Sequence, residues 1–160
     1  MLSGKLVETI VQHSDVIMRR VIRRIKEDAE LRYVGSLSDS ELLERGRHIL
    51  GGLQTWVNAS QHKSLGRDYE ELGRLRFQQS IPLHEAVRAL LLIRNEAIEY
   101  IFEQGFDQSS MEIHAERGLE HWLANFFDFL VYHLIKGYEK SLHEPISSPR
   151  QPESYPFWVP

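Results

Sequence analysis

Eight histidines, His13, His48, His62, His84, His114, His121, His133 and His143, are the first residues to weigh for chemistry. Imidazole is the commonest protein ligand for metals and a ready proton carrier. A di-iron helical bundle needs Glu-x-x-His pairs on facing helices, and no glutamate here has a histidine three residues later. Glu44 with His48 and Glu139 with His143 stand four apart, the spacing of an exposed helix pair. His114 and His121 share a helix face, but no carboxylate completes a ligand set. The His-Glu-x-x-His motif of zinc proteases is also absent. A metal-dependent bundle enzyme is therefore one alternative that spacing does not favour. Haem asks for less, a single axial ligand in an apolar pocket. His84, His121 and His133 lie beside apolar segments, and a haem-based, globin-type gas sensor using them is the other alternative.

Other catalytic classes fall away on composition. The chain has no cysteine, which removes thiolate nucleophiles, disulfides, zinc fingers and iron–sulfur clusters. The serines form no Gly-x-Ser-x-Gly elbow, and no glycine pattern matches a nucleotide-binding loop. The net charge of −4 argues against a nucleic-acid binder, whose affinity rests on neutralising phosphates. The longest apolar run, Ala89 to Ile93, has five residues, far short of the ~18 that a membrane span needs. No membrane segment and a cytoplasmic location are expected.

Two cationic features stand out. Arg19, Arg20, Arg23, Arg24 and Lys26 cluster among Asp15, Glu27, Asp28 and Glu30, which reads as a solvated helix face with i,i+4 pairs. Arg94 follows Leu90-Leu91-Leu92-Ile93. An arginine in such a setting needs a partner, either a carboxylate such as Glu96, Glu99 or Asp128 or a ligand.

The elements that must carry these residues are helical. Five of the six prolines follow residue 144, so the body is free to be almost continuous helix. Leu6, Ile10, Ile17, Val21 and Ile25 form one stripe over a first helix from Lys5 to Ala29. Ser38 with Glu41 is a capping box, and Leu37 with Leu42 a hydrophobic staple, opening a second helix. Gly51-Gly52 weakens that helix by ~1 kcal/mol per glycine and points to a close contact or a bend. A third helix from Ser64 to Gln79 carries Leu65, Tyr69, Leu72 and Leu75. Pro82 suits the first turn of a fourth, which Gly105 ends. Ser109 with Glu112 opens a long fifth helix that is apolar on nearly every side from Trp122 to Ile135. Such a helix is central to the bundle or meets a second chain. Trp122, Phe126, Phe129, Leu130 and Tyr132 are expected to divide between core and partner face. The domain is placed at residues 1–143, and residues 144–160 form a Pro-rich tail or linker with an aromatic end.

The stretch Leu72-Gly73-Arg74-Leu75-Arg76-Phe77-Gln78-Gln79-Ser80-Ile81-Pro82-Leu83, continuing from Ala86 through Leu90-Leu91-Leu92-Ile93-Arg94, resembles the N-terminal domain of the RsbT co-antagonist (RsbRD-type) family. The segment from Phe127-Asp128-Phe129 to Gly137-Tyr138-Glu139 is similar to that family's closing helix. The resemblance implies a helical sensory or dimerisation module of bacterial stress signalling, with a fold that can be globin-like without haem. It implies no cofactor, and an output domain of STAS, kinase or transcription-factor type. None follows within these 160 residues, so the tail is read as an interdomain linker or the module as acting on its partner in trans. Arg76 and Arg94 both fall in the matching stretch and are taken as ligand contacts or structural ion pairs.

These readings converge on an all-α bundle of about five helices with a long C-terminal helix. The expected function is non-enzymatic: a regulatory homodimer that binds a small ligand in its core and works with a kinase or STAS-type protein.

Overall fold

The computed structural model describes residues 2–104 and 110–144, with side chains over 4–104 and 117–144. The Gly105 stop, the Ser109–Glu112 capping box, the His114 side chain and the tail at 145–160 lie outside the described residues. Six α-helices and no strand occur among the described residues: α1 (Leu2–Gln12), α2 (Ser14–Glu27), α3 (Asp39–Trp56), α4 (His62–Gln78), α5 (Leu83–Glu103) and α6 (Ser110–His143). No helix among them is long and apolar enough to cross a membrane.

The expected first helix is two helices. Its stripe is sound, and Leu6, Ile10, Ile17, Val21 and Ile25 are all buried. The break falls at His13, with φ −108° and ψ 24°. Ser14 Oγ donates to the Val11 carbonyl at 2.6 Å, a back-bond that competes with the helical ladder and bends it. After α2 the chain makes two 3₁₀ turns, at Ala29–Leu31 and Val34–Ser36, which bury Leu31 and Val34. Ser38 then caps α3 by accepting from Glu41 N–H at 3.1 Å. The reciprocal half of the capping box is missing, because Glu41 Oε1 accepts instead from Gln79 Nε2 at 3.2 Å.

Helix α4 ends in a Schellman turn: Ile81 N–H donates to the Arg76 carbonyl and Ser80 N–H to that of Phe77, both at 3.0 Å. The left-handed position, normally glycine, is Ser80 with φ 59°. Pro82 sits one residue earlier than expected, as the N-cap of α5, and its carbonyl accepts from Glu85 and Ala86 N–H.

Helix α2 packs on both α3 and α5, α5 also packs on α6, α1 bridges α3, α5 and α6, and the most extensive contact joins α4 to α6. Glycines set that last approach. A Cβ on Gly73 would strike the Leu134 carbonyl and the Tyr138 nitrogen, and one on Gly137 would strike the Glu70 carbonyl. The two backbones touch. At the Gly51-Gly52 pair only Gly52 makes a contact, its Cβ direction meeting Phe126 Cζ at 3.4 Å. α6 is central, with Leu119, Leu123, Phe126, Phe127, Leu130 and Leu134 all buried.

Gly137→Ala is expected to force the seam apart and cost about 3 kcal/mol, lowering Tm by roughly 10 °C. Gly51, with nothing within 4 Å of its Cβ direction, is the control: Gly51→Ala gains about 1 kcal/mol of helix propensity. Ser80→Gly removes the left-handed penalty of about 1 kcal/mol and raises Tm by a few degrees. Thermal melts followed by circular dichroism check all three.

Candidate functional site

Helix α4 presents two inward faces. Gly66, Glu70 and Gly73 turn toward α6, where Gly66 lies under the His133 ring. Leu65, Tyr69, Leu72 and Arg76, at steps of four, three and four, turn toward the core and are all buried. The expected stripe placed Leu75 at its end. Leu75 is only half-buried, and the charged Arg76 takes that register, 6% exposed.

Arg76 Nη1 donates to Gln79 Oε1 at 2.7 Å. Burial pulls its guanidinium down to about 10, with the charge of Arg45 acting the same way and Glu41 opposing. It remains charged at neutral pH. Arg45 and Arg76 line a groove of about 550 Å³ between α3 and α4, together with Ser38, Glu41 and His48. They also border a core cavity of about 30 Å³ otherwise walled largely by apolar side chains such as Met18, Ile49 and Leu90. The pair is thus the wall between groove and core. Tyr69, two turns before Arg76, is 2% exposed and its hydroxyl has no hydrogen-bond partner among the described residues. Burial drives its pKa up, while Arg45 opposes the shift.

The α4–α6 seam carries a charged cluster. Glu70 accepts from Lys140 Nζ and pairs with His133 Nδ1, both at 2.8 Å, and Lys136 lies 4.0 Å away. The hydrogen bonds from Lys140 and His133 hold the Glu70 carboxyl below the usual carboxylate range. Nearby, Tyr138 Oη donates to the Ile81 carbonyl at 2.7 Å and its ring meets Phe77 edge-on at 5.5 Å.

The three histidines weighed as a pocket do not converge. His84 and His121 are exposed, and His121 meets only Asn125 at 3.4 Å. His133 is held by Glu70 and packs on Phe129, with ring centroids 4.4 Å apart. Arg94 is half-exposed and donates to Asn95 Oδ1 at 3.2 Å. Glu96, one of its expected partners, is buried and pairs with Arg24 instead. Of the five residues divided between core and partner face, Phe126 and Leu130 are fully buried core residues. Trp122 is half-buried against the core. Phe129 is also half-buried, locked among Trp56, His62 and His133. Tyr132 alone is turned outward, 61% exposed.

Sequence reasoning missed Arg45 and Glu70, and took Tyr69 only as a member of an apolar stripe. Nothing local marked the Tyr69 hydroxyl, and Arg45 gave no local sign. Glu70 did, lying between Gly66 and Gly73 at a spacing that marks a close helix contact. Glu85 was also missed: it is 1% exposed, and its Oε1 accepts from Tyr33 and Val34 N–H at 3.0 and 3.1 Å.

The fold is an all-α bundle whose charged and apolar sites lie between helices. Residues 14–151 match the family described as RsbT co-antagonist protein rsbRD N-terminal domain. The chain belongs to that family, a regulatory domain of stress-response signalling. Neither the curated proteins nor the solved structures contain a match to the chain.

Because the Glu70 carboxyl is depressed in the folded protein, its contribution is complete above the unfolded value of 4.5 and is lost as pH falls through the lower folded value. Glu70→Gln is expected to cost about 1 kcal/mol at pH 7, and the gap to the parent should narrow as pH falls below 4.5. Urea titrations at pH 7 and pH 3.5 test this, and a gap that stays constant would refute it.

Proposed function

We propose that the chain is a non-enzymatic regulatory module that works as a homodimer. In this reading, α6 of one copy packs antiparallel on α6 of another around Tyr132. The dimer reads a small ligand and passes the state to a kinase or STAS-type signalling protein. Family membership supports the regulatory role.

The observation that carries the dimer is the pattern on the outer face of α6. Tyr132 is exposed in the C-terminal half of a 34-residue helix. Asp128 lies one turn before it and Lys136 one turn after, both exposed. A twofold axis through Tyr132 sets Asp128 of each copy opposite Lys136 of the other, so the face is complementary to itself in charge. Lys136 Nζ already lies over the Tyr132 ring, 6.0 Å from its centroid. The two tyrosine rings supply the apolar centre of the contact.

Sedimentation equilibrium at micromolar concentration is expected to give the dimer mass. Asp128→Lys should weaken association at least tenfold, and adding Lys136→Asp should restore it. A parent protein that is monomeric at 50–100 µM (roughly, weaker than −6 kcal/mol) overturns the proposal, as does a double swap that fails to rescue a folded single variant.

A further inference from the structure

The groove between α3 and α4 holds positive charge that no carboxylate among the described residues neutralises by direct pairing. Arg76 is buried and its side-chain hydrogen bond goes to the neutral Gln79. Arg45 has no ion pair or hydrogen bond among the described residues, yet its charge acts on Arg76. Two acids share the groove, and neither pairs directly with Arg45 or Arg76, although the Glu41 charge acts on Arg76. Glu41 accepts from Gln79 Nε2 at 3.2 Å. Glu44 lies 3.6 Å from Arg47 Nη1, and Arg47 also grips Asp15 with two hydrogen bonds. A buried arginine normally has an anionic partner, and one guanidinium beside another raises that need. The hydroxyl of Tyr69, buried and unpaired within electrostatic reach of Arg45, is a second unsatisfied group in the same region.

We propose that this groove is a ligand site in which Arg45 and Arg76 clamp a small oxyanion, the phosphate or carboxylate group of an organic molecule. Guanidinium forks match such groups with paired N–H donors. The groove, about 550 Å³, is of the size that small-molecule sites occupy, so there is room for an organic body as well as the anionic group. Ser40, His48 and Leu75 also line it. The site supplies the input of the module proposed above and rests on that reading for its biological role alone. Binding itself needs no dimer.

Calorimetric titration with sodium phosphate and, separately, sodium succinate tests the site, against sodium chloride at matched ionic strength. Saturable binding of phosphate or succinate is expected, and the tighter of the two identifies the source as phosphoryl or carboxylate. Arg45→Gln, at a half-exposed position, should keep the fold and weaken that binding at least tenfold. Arg76→Gln should do the same where it folds. Arg88→Gln, an exposed arginine on α5 that does not line the groove, should leave affinity unchanged. No saturable heat beyond chloride, or parental affinity in a folded Arg45→Gln protein, overturns the proposal. A protein that binds the anion yet sediments as a monomer keeps this site and loses the dimer, so the two failures are separable.

Discussion

The backbone contact between Gly73 and Gly137 is the constraint on which the rest of the structure depends. Two helices that approach with no side chain between them have little freedom to rotate or slide. With Gly73 fixed toward α6, the helical step places Leu72 and Arg76 on a neighbouring face, toward the core. The same contact brings Glu70 under His133 and Lys140, and Tyr138 against Phe77 and the Ile81 carbonyl. The two sequence segments that carry the family resemblance are the two that meet here. Their shared pattern has a physical reading, a glycine on each helix at the crossing and a tyrosine that ties the crossing to the following turn.

That tie helps explain how a strained turn persists. Ser80 holds a left-handed backbone at φ 59° without being glycine. Its neighbour Ile81 is buried, and the Ile81 carbonyl accepts from Tyr138. A cost of about 1 kcal/mol is offset by the hydrogen bond and the buried side chain next to it. The turn in turn sets the entry of α5, whose first-turn Glu85 reaches back to cap the 3₁₀ turn at Tyr33 and Val34. One seam therefore positions α4, α6, the turn and the start of α5.

Much of the helical architecture was legible because apolar periodicity is a local signal. The stripe from Leu6 to Ile25 and the Ser38 cap were read correctly, whereas which of the five α6 residues are core, Phe126 and Leu130 foremost, was left undivided. The break at His13 was not, because a serine back-bond bends a helix without changing the phase of its stripe. The paired arginines were half legible. Arg76 occupies the fourth position of the Leu65–Tyr69–Leu72 register, a charge where the pattern calls for an apolar residue. Arg45 shows no such anomaly on its own helix and becomes significant only when α3 is laid beside α4. Arg94, which the sequence made conspicuous, turned out half-exposed because the apolar run before it wraps the helix rather than enclosing its end.

The three buried charges show why Arg76 differs from its peers. Glu85 is satisfied by two backbone N–H groups and Glu96 by Arg24. Each of these carboxylates lies at a joint between elements, where a fixed donor repays desolvation with order. Arg76 has a neutral amide as its hydrogen-bond partner and a second cation beside it, opposed only by the unbonded charge of Glu41. A purely structural role would be served as well by leucine or methionine in the same register, without the cost of desolvating a charge. The stability of the bundle gives no reason for a guanidinium at that position. The anion site proposed for the groove supplies one.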